Sequence, residues 1–201
     1  MDFEFKQDYD KILVEQGLMN VPNLPVTILR LPAVYGGGDR QHRFLPYLQR
    51  MVDQRPTILL ETGQANWYWS HGYVENVAAA IALAITDDRA TGRIYNLGEP
   101  ATPTHLPRLQ QLGQVIGWKG EIISVAKEKL PNHLQMNLQW RYHLAIDTSR
   151  IRDELGYVEP IATEEALQRT ISWEQSNLAD STSTELIEQY RIEDEILAEL
   201  S

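Results

Sequence analysis

Apolar and polar positions alternate with two different periods along this chain, and the change from one to the other sets out its elements. Val26 to Leu31 is a short, β-branched and almost wholly apolar run bracketed by Pro25 and Pro32. Such a run reads as a parallel strand covered on both faces. It runs into Ala33-Val34-Tyr35 and three glycines, which read as a loop at the carboxyl end of that strand, where open α/β sheets take their ligands. Ahead of it, Asp8 to Leu18 has helical spacing and is closed by Pro22. Behind it, Arg40 to Asp53 sets Phe44, Leu45, Leu48, Met51 and Val52 on one face, with Pro46 admissible in a first turn.

Further on, Pro56 to Leu60 reads as a strand, Glu61 to Gln64 as a turn, and Trp67 to Tyr73 as an aromatic strand. Val74 to Thr86 is apolar nearly all round beyond Asn76, as a helix pressed on a sheet should be. Arg93 to Leu97 is a second buried strand. Strand, crossover helix and strand imply parallel pairing, with residues 56–73 inserted in the crossover. His105 to Ile116 is a helix stopped by Gly117, and Glu121 to Val125 another strand. Residues 126–145 mix Pro131, Met136 and Trp140 without a period, and read as a long loop or irregular helices. Helices return at Asp147 to Leu155, with Gly156 as the stop, at Thr163 to Trp173, and at Glu185 to Leu200. The fold class is α/β.

Composition narrows the function. The 201 residues make one domain of ordinary size, or one and a small appendage, and 43% apolar residues suffice for a core. The net charge of −10 disfavours nucleic acid, whose phosphates need clustered Lys and Arg. There is no cysteine, and His42, His71, His105, His133 and His143 have no metal-ligand spacing, so no metal is expected. The N-terminus is unlike a signal peptide and no run is long enough to span a bilayer; a cytoplasmic protein is expected. From residue 181 onward six acids face one Arg, which reads as the solvated face of a docked helix or as a partner-binding tail.

Gly36-Gly37-Gly38 is followed by Asp39-Arg40-Gln41, so these glycines form neither a phosphate loop nor a Gly-x-Gly-x-x-Gly turn. Arg40, His42 and Arg43, just beyond, read either as contacts for an anionic substrate or as a solvated helix start. Trp67, Tyr68, Trp69, His71 and Tyr73 read as an aromatic wall against a ligand or as packing.

Taken in order, several pieces resemble one family. Lys11-Ile-Leu-Val-Glu15, Leu29-Arg-Leu-Pro-Ala-Val-Tyr-Gly36, Gly72-Tyr-Val-Glu-Asn-Val-Ala-Ala-Ala-Ile81, Gly92-Arg-Ile-Tyr-Asn-Leu-Gly98 and Asp147-Thr-Ser-Arg-Ile-Arg-Asp-Glu-Leu-Gly156 are similar to the C-terminal portion of an extended, atypical short-chain dehydrogenase/reductase, the NAD-dependent epimerase/dehydratase group. The resemblance implies a Rossmann-type parallel sheet with a small mixed substrate-binding subdomain over residues 1–178, followed by an acidic helix at 179–201. It also implies NAD or NADP as cofactor, a small hydroxylated or sugar-nucleotide-like substrate, and a chain truncated ahead of its glycine-rich turn.

The family's catalytic pair is Tyr-x-x-x-Lys. Lys11 matches the lysine, Gln7 stands where the tyrosine would be, and Tyr9 is two residues from Lys11. The resemblance places Pro32, Ala33, Val34 and Tyr35 against the nicotinamide, and Arg40, His42, Arg43, His71 and Tyr73 toward the substrate. Ala33 and Gly37 depart from the family's Asn and Pro, and the hairpin arginine is replaced near Trp69. Two other outcomes follow from the same residues: a non-catalytic nucleotide- or RNA-binding relative, or an inactive fragment. An exposed sheet flank would be covered by self-association.

Overall fold

The computed structural model describes residues 10–200. Its helices are α1 (Lys11–Met19), α2 (Leu45–Val52), α3 (Thr62–Ala65), α4 (Val74–Thr86), α5 (His105–Ile116), α6 (Ser149–Leu155), α7 (Thr163–Glu174) and α8 (Thr184–Leu200). Its strands are β1 (Ile28–Arg30), β2 (Ala33–Tyr35), β3 (Thr57–Glu61), β4 (His71–Tyr73), β5 (Ile94–Asn96) and β6 (Glu121–Val125). They form three parallel pairs: β1 with β5, β2 with β4 and β3 with β6. The crossover from β1 through α4 to β5 is therefore parallel, as the periodicity implied.

The helix ends follow local chemistry. Asp10 accepts from the Ile12 amide at 2.8 Å and starts α1. Gly117 and Gly156 end α5 and α6 in the left-handed region, at φ 76° and 70°.

Four expectations need correction. The strand within Val26–Leu31 is shorter and is not covered on both faces: Arg30 and Leu31 are exposed, and among the described residues β1 pairs with β5 alone. Ala33–Tyr35 is not loop but a strand in register with His71–Tyr73. Helix α2 starts at Leu45 rather than Arg40. Asp39 takes the amides of Gln41 (3.0 Å) and Arg43 (3.3 Å), and His42 sits at φ 47°, so residues 40–44 turn instead of winding on. Of the aromatic run, only His71–Tyr73 is strand. Tyr68 and Trp69 make single bridges to Thr104 and Leu144, which hold the irregular 126–145 segment against the body.

Three cores hold the layers together. Phe44, Leu48 and Met51 of the α2 region, Leu109 and Leu112 of α5, and Leu167 and Ile171 of α7 close over Tyr35, Tyr73 and Ile58. Across β5, α4 and α6 enclose Tyr95, Leu97 and Ile151, with Val34 and Leu29 at the margin. Beside β3–β6, Leu59, Val125 and Leu130 pack against Ile196 and Leu197 of α8. No helix among the described residues is long and apolar enough to cross a membrane.

Candidate functional site

Strands β2 and β4 stop together at Tyr35 and Tyr73, and the chain leaves β2 through the glycines. Gly36 has φ 114°, and a Cβ there would lie 2.7 Å from the Tyr73 ring, so only glycine lets the chain turn so tightly over β4. The turn leaves a hollow of about 260 Å³ lined by Val34, Tyr35, Gly37, Gly38, Arg40, Arg43 and Val74 among others. It lies beyond the carboxyl ends of parallel strands, where α/β sheets take ligands. Four of the residues singled out from sequence meet there: Val34, Tyr35, Arg40 and Arg43.

Their roles in the hollow differ. Arg40 is exposed, and among the described residues its guanidinium has no hydrogen bond or ion pair. Arg43 is held within the chain. It donates to the Val34 carbonyl at 2.7 Å and to Asp39 at 2.5 Å, and its guanidinium lies 5.7 Å from the centre of the Trp69 ring. The Val34 oxygen is thus taken by Arg43. Likewise the Ala33 amide donates to Ser70 at 3.0 Å, within the β2–β4 ladder. Tyr35 forms the floor: it is buried, and its hydroxyl donates to Glu99 at 2.7 Å. Burial and the Glu99 carboxylate push its phenol far above the ordinary range, so it stays protonated.

The remaining predicted residues lie apart. His42 stacks on Trp173 (5.4 Å, 6° between planes) and its Nδ1 is 2.9 Å from the buried Glu174, which ties the loop to α7. Tyr73 lies behind the hollow, its hydroxyl donating to Glu75 at 2.8 Å. His71 is interior, against the rings of Phe44, Tyr35 and Trp69, and donates from Nδ1 to the Trp69 carbonyl at 2.8 Å. Lys11 is exposed in the first turn of α1 and does not line the hollow. Pro32 and Ala33 lead into it from behind. Tyr9 and Gln7 lie outside the described residues.

The aromatic run packs mainly against protein. Trp67 meets Trp69 at 5.0 Å and Trp140 at 5.2 Å, and its indole donates to the Tyr142 carbonyl.

Three polar residues behind the hollow escaped the sequence reading. Glu99 receives both Tyr35 and a close ion pair from Arg108, which is 2% exposed, and His105 lies one turn before Arg108 on α5. A signal existed: 105, 108, 109 and 112 share one helical face, so Arg108 stands among the core leucines. Burial, with Arg108 and His105 adding to it, lowers the His71 pKa to about 3; burial and Arg108 lower that of His105 to about 4.

The chain is similar to several known proteins. The chain is 26% identical over 157 residues to a dTDP-glucose 4,6-dehydratase of Streptomyces niveus, covering 78% of this chain and 44% of that one. Among solved structures it is similar to RMD from Pseudomonas aeruginosa complexed with NADPH, with a TM-score of 0.64 at 15% identity, covering 84% of this chain and 55% of the other. It is also similar to dTDP-glucose 4,6-dehydratase from Bacillus anthracis in complex with NAD, with a TM-score of 0.61 at 18% identity, covering 81% and 50%. The chain spans about half the length of the curated relatives it matches. The fold is that of the Rossmann-like epimerases and dehydratases. Residues 8–98 match the model of the NAD dependent epimerase/dehydratase family.

Proposed function

We propose that this chain supplies the substrate side of a nicotinamide-linked site, acting on a hydroxylated, sugar-nucleotide-like or other anionic substrate. The carrying observation is Arg40, a cation without a partner among the described residues, at the rim of a hollow that closes the carboxyl ends of β2 and β4. An exposed guanidinium beside glycine backbone is suited to a phosphate or carboxylate.

The cofactor fits in part. Gly37 and Gly38 leave room for close approach, a Cβ at Gly38 meeting nothing within 4 Å. About 260 Å³ is below the roughly 300–1,000 Å³ of a small-molecule pocket, so the hollow suits one end of a ligand rather than a whole dinucleotide. NAD or NADP would supply hydride acceptance from a carbinol carbon. This chain's residues bind and orient: Arg40 anchors the anion, Tyr35 and Val74 wall the hollow, and Arg43 fixes the loop by its grip on Val34 and Asp39. By family resemblance Lys11 is assigned to a ribose contact, while Gln7 stands at the position of the proton-transferring tyrosine and Tyr9 lies two residues from Lys11. Self-association is the further partner in this reading.

Calorimetric titration with UDP, NAD and NADP, for the natural chain and Arg40→Ala, tests the assignment. A charged hydrogen bond of about 1.5–3 kcal/mol corresponds to roughly a tenfold or greater loss of UDP affinity. Equal affinities would remove Arg40 and the hollow from the site.

A further inference from the structure

Behind the floor of the hollow, four buried nitrogen atoms find no partner among the described residues: His71 Nε2, His105 Nδ1, and Nε and Nη1 of Arg108. They belong to one cluster. His105 and Arg108 share a face of α5; Arg108 is paired with Glu99, Glu99 takes the Tyr35 hydroxyl, and the Tyr35 ring lies 6.1 Å from that of His71. Trp69 adjoins both histidines, at 4.7 and 6.5 Å between ring centres. Orphaned polar atoms at this depth are costly, and proteins satisfy them with ordered water.

The hydrogen-bond roles define the occupant. His71 donates from Nδ1 to a carbonyl, so its neutral ring offers Nε2 as an acceptor. Gln64 donates to the Tyr47 hydroxyl at 2.7 Å, and that hydroxyl lies 3.3 Å from His105 Nε2. The hydroxyl's own proton therefore goes to Nε2, and Nδ1 of His105 is left as a donor. Arg108 adds two further donating groups. The set offers one acceptor and several donors, with the Arg108 charge already met by Glu99. An anion could not serve His71 Nε2, and a cation could not serve the donors. We propose that His71, His105 and Arg108 enclose a buried water site, which joins the two histidines to the Tyr35–Glu99–Arg108 chain beneath the hollow.

A crystal structure of the natural chain at a resolution that shows ordered water, with one crystal soaked in bromide, tests this directly. A peak without anomalous signal, within hydrogen-bond distance of His71 Nε2 and an Arg108 nitrogen, is the expected result. A bromide peak at that place, or Arg108 bonded directly to His71 with no peak, would overturn it. In solution, oxygen-17 relaxation dispersion should report at least one fewer long-lived water in His71→Phe than in the natural chain. If a folded His71→Phe keeps the full number, the site is not where we place it.

Discussion

At the scale of single residues, the interior histidines make the sharpest forecast. The pKa values near 3 for His71 and 4 for His105 lie below the ordinary 6.5 because the charged ring would be buried beside Arg108. Between about pH 4 and 6.5 the unfolded chain therefore binds more protons at these positions than the native one. Stability from this source is complete above 6.5 and is lost as pH falls toward 4 and then 3. Two such groups give a slope of up to about 2.7 kcal/mol per pH unit, in addition to that of the carboxylates. Urea midpoints should fall steeply as the pH is lowered from 6 to 4.5. In His105→Gln, which keeps a side chain able to bond Tyr47, the slope should be smaller by about 1.4 kcal/mol per pH unit. An unchanged slope would mean that His105 is protonated in the native state. These residues also mark a limit of sequence reading. His71 could be picked out from its aromatic neighbours, but its burial depends on the packing of Tyr35, Phe44 and Trp69 around it, which the sequence does not display. Glu99 and Arg108 are nine residues apart, and Tyr35, which Glu99 also binds, lies 64 residues from Glu99.

At the scale of elements, long segments with one clear period were legible. Helices α4 and α5 begin and end at the residues their spacing gives, because an apolar face and a glycine or polar stop act together. The two strands of the opening motif were not, because Pro32 divides one apolar run between two partners, β5 and β4. The acidic last helix illustrates how local composition misses tertiary contact. Glu193 of α8 is 1% exposed; it takes a close ion pair from Arg50 of α2 and lies 2.8 Å from Nε2 of His133. Tyr190 donates to Asp53 at 2.5 Å, and Arg55 pairs with Asp194. The docked face of α8 is thus both charged and apolar. Removing Glu193 leaves Arg50 buried without its partner. Glu193→Ala should lower unfolding free energy by about 3–5 kcal/mol and open the 180–184 linker to limited proteolysis. Glu195→Ala, on the exposed side with Arg191, should change neither. If the two variants behave alike, α8 is not held by its buried pair.

At the scale of the whole molecule, one flank carries a set of exposed apolar groups that no other described segment covers. Helix α1 has no buried residue; Ile12, Leu13 (63% exposed), Val14 and Leu18 face outward, with Val21, Leu24 and Leu31 beside them. Glu15 and Arg30 join this helix to β1 through an ion pair of 2.5 Å. In its pairing with β5, β1 uses the Ile28 amide and the Arg30 carbonyl, so the amide and carbonyl of Leu29 point to the unpaired edge. A contiguous apolar patch beside an open strand edge is a surface for association. We expect the chain to self-associate through it, giving a light-scattering mass above the 23.1 kDa of one copy. Leu13→Glu with Leu18→Glu should return it to one copy without loss of stability, since both side chains are already exposed. The same chain should bind NAD and NADP weakly. Its sequence has no Gly-x-Gly-x-x-Gly turn to cradle a pyrophosphate, and two backbone groups that the family resemblance would set against a nicotinamide, the Ala33 amide and the Val34 carbonyl, are already bonded within the protein. Each lost ~1.4 kcal/mol is a tenfold loss of affinity, so several missing contacts carry an ordinary micromolar site to about millimolar or weaker. Calorimetry beside light scattering tests both expectations at once. Micromolar dinucleotide binding by a monodisperse single copy would refute both: the open flank would then be no association surface, and the hollow would hold more of the cofactor than its volume suggests.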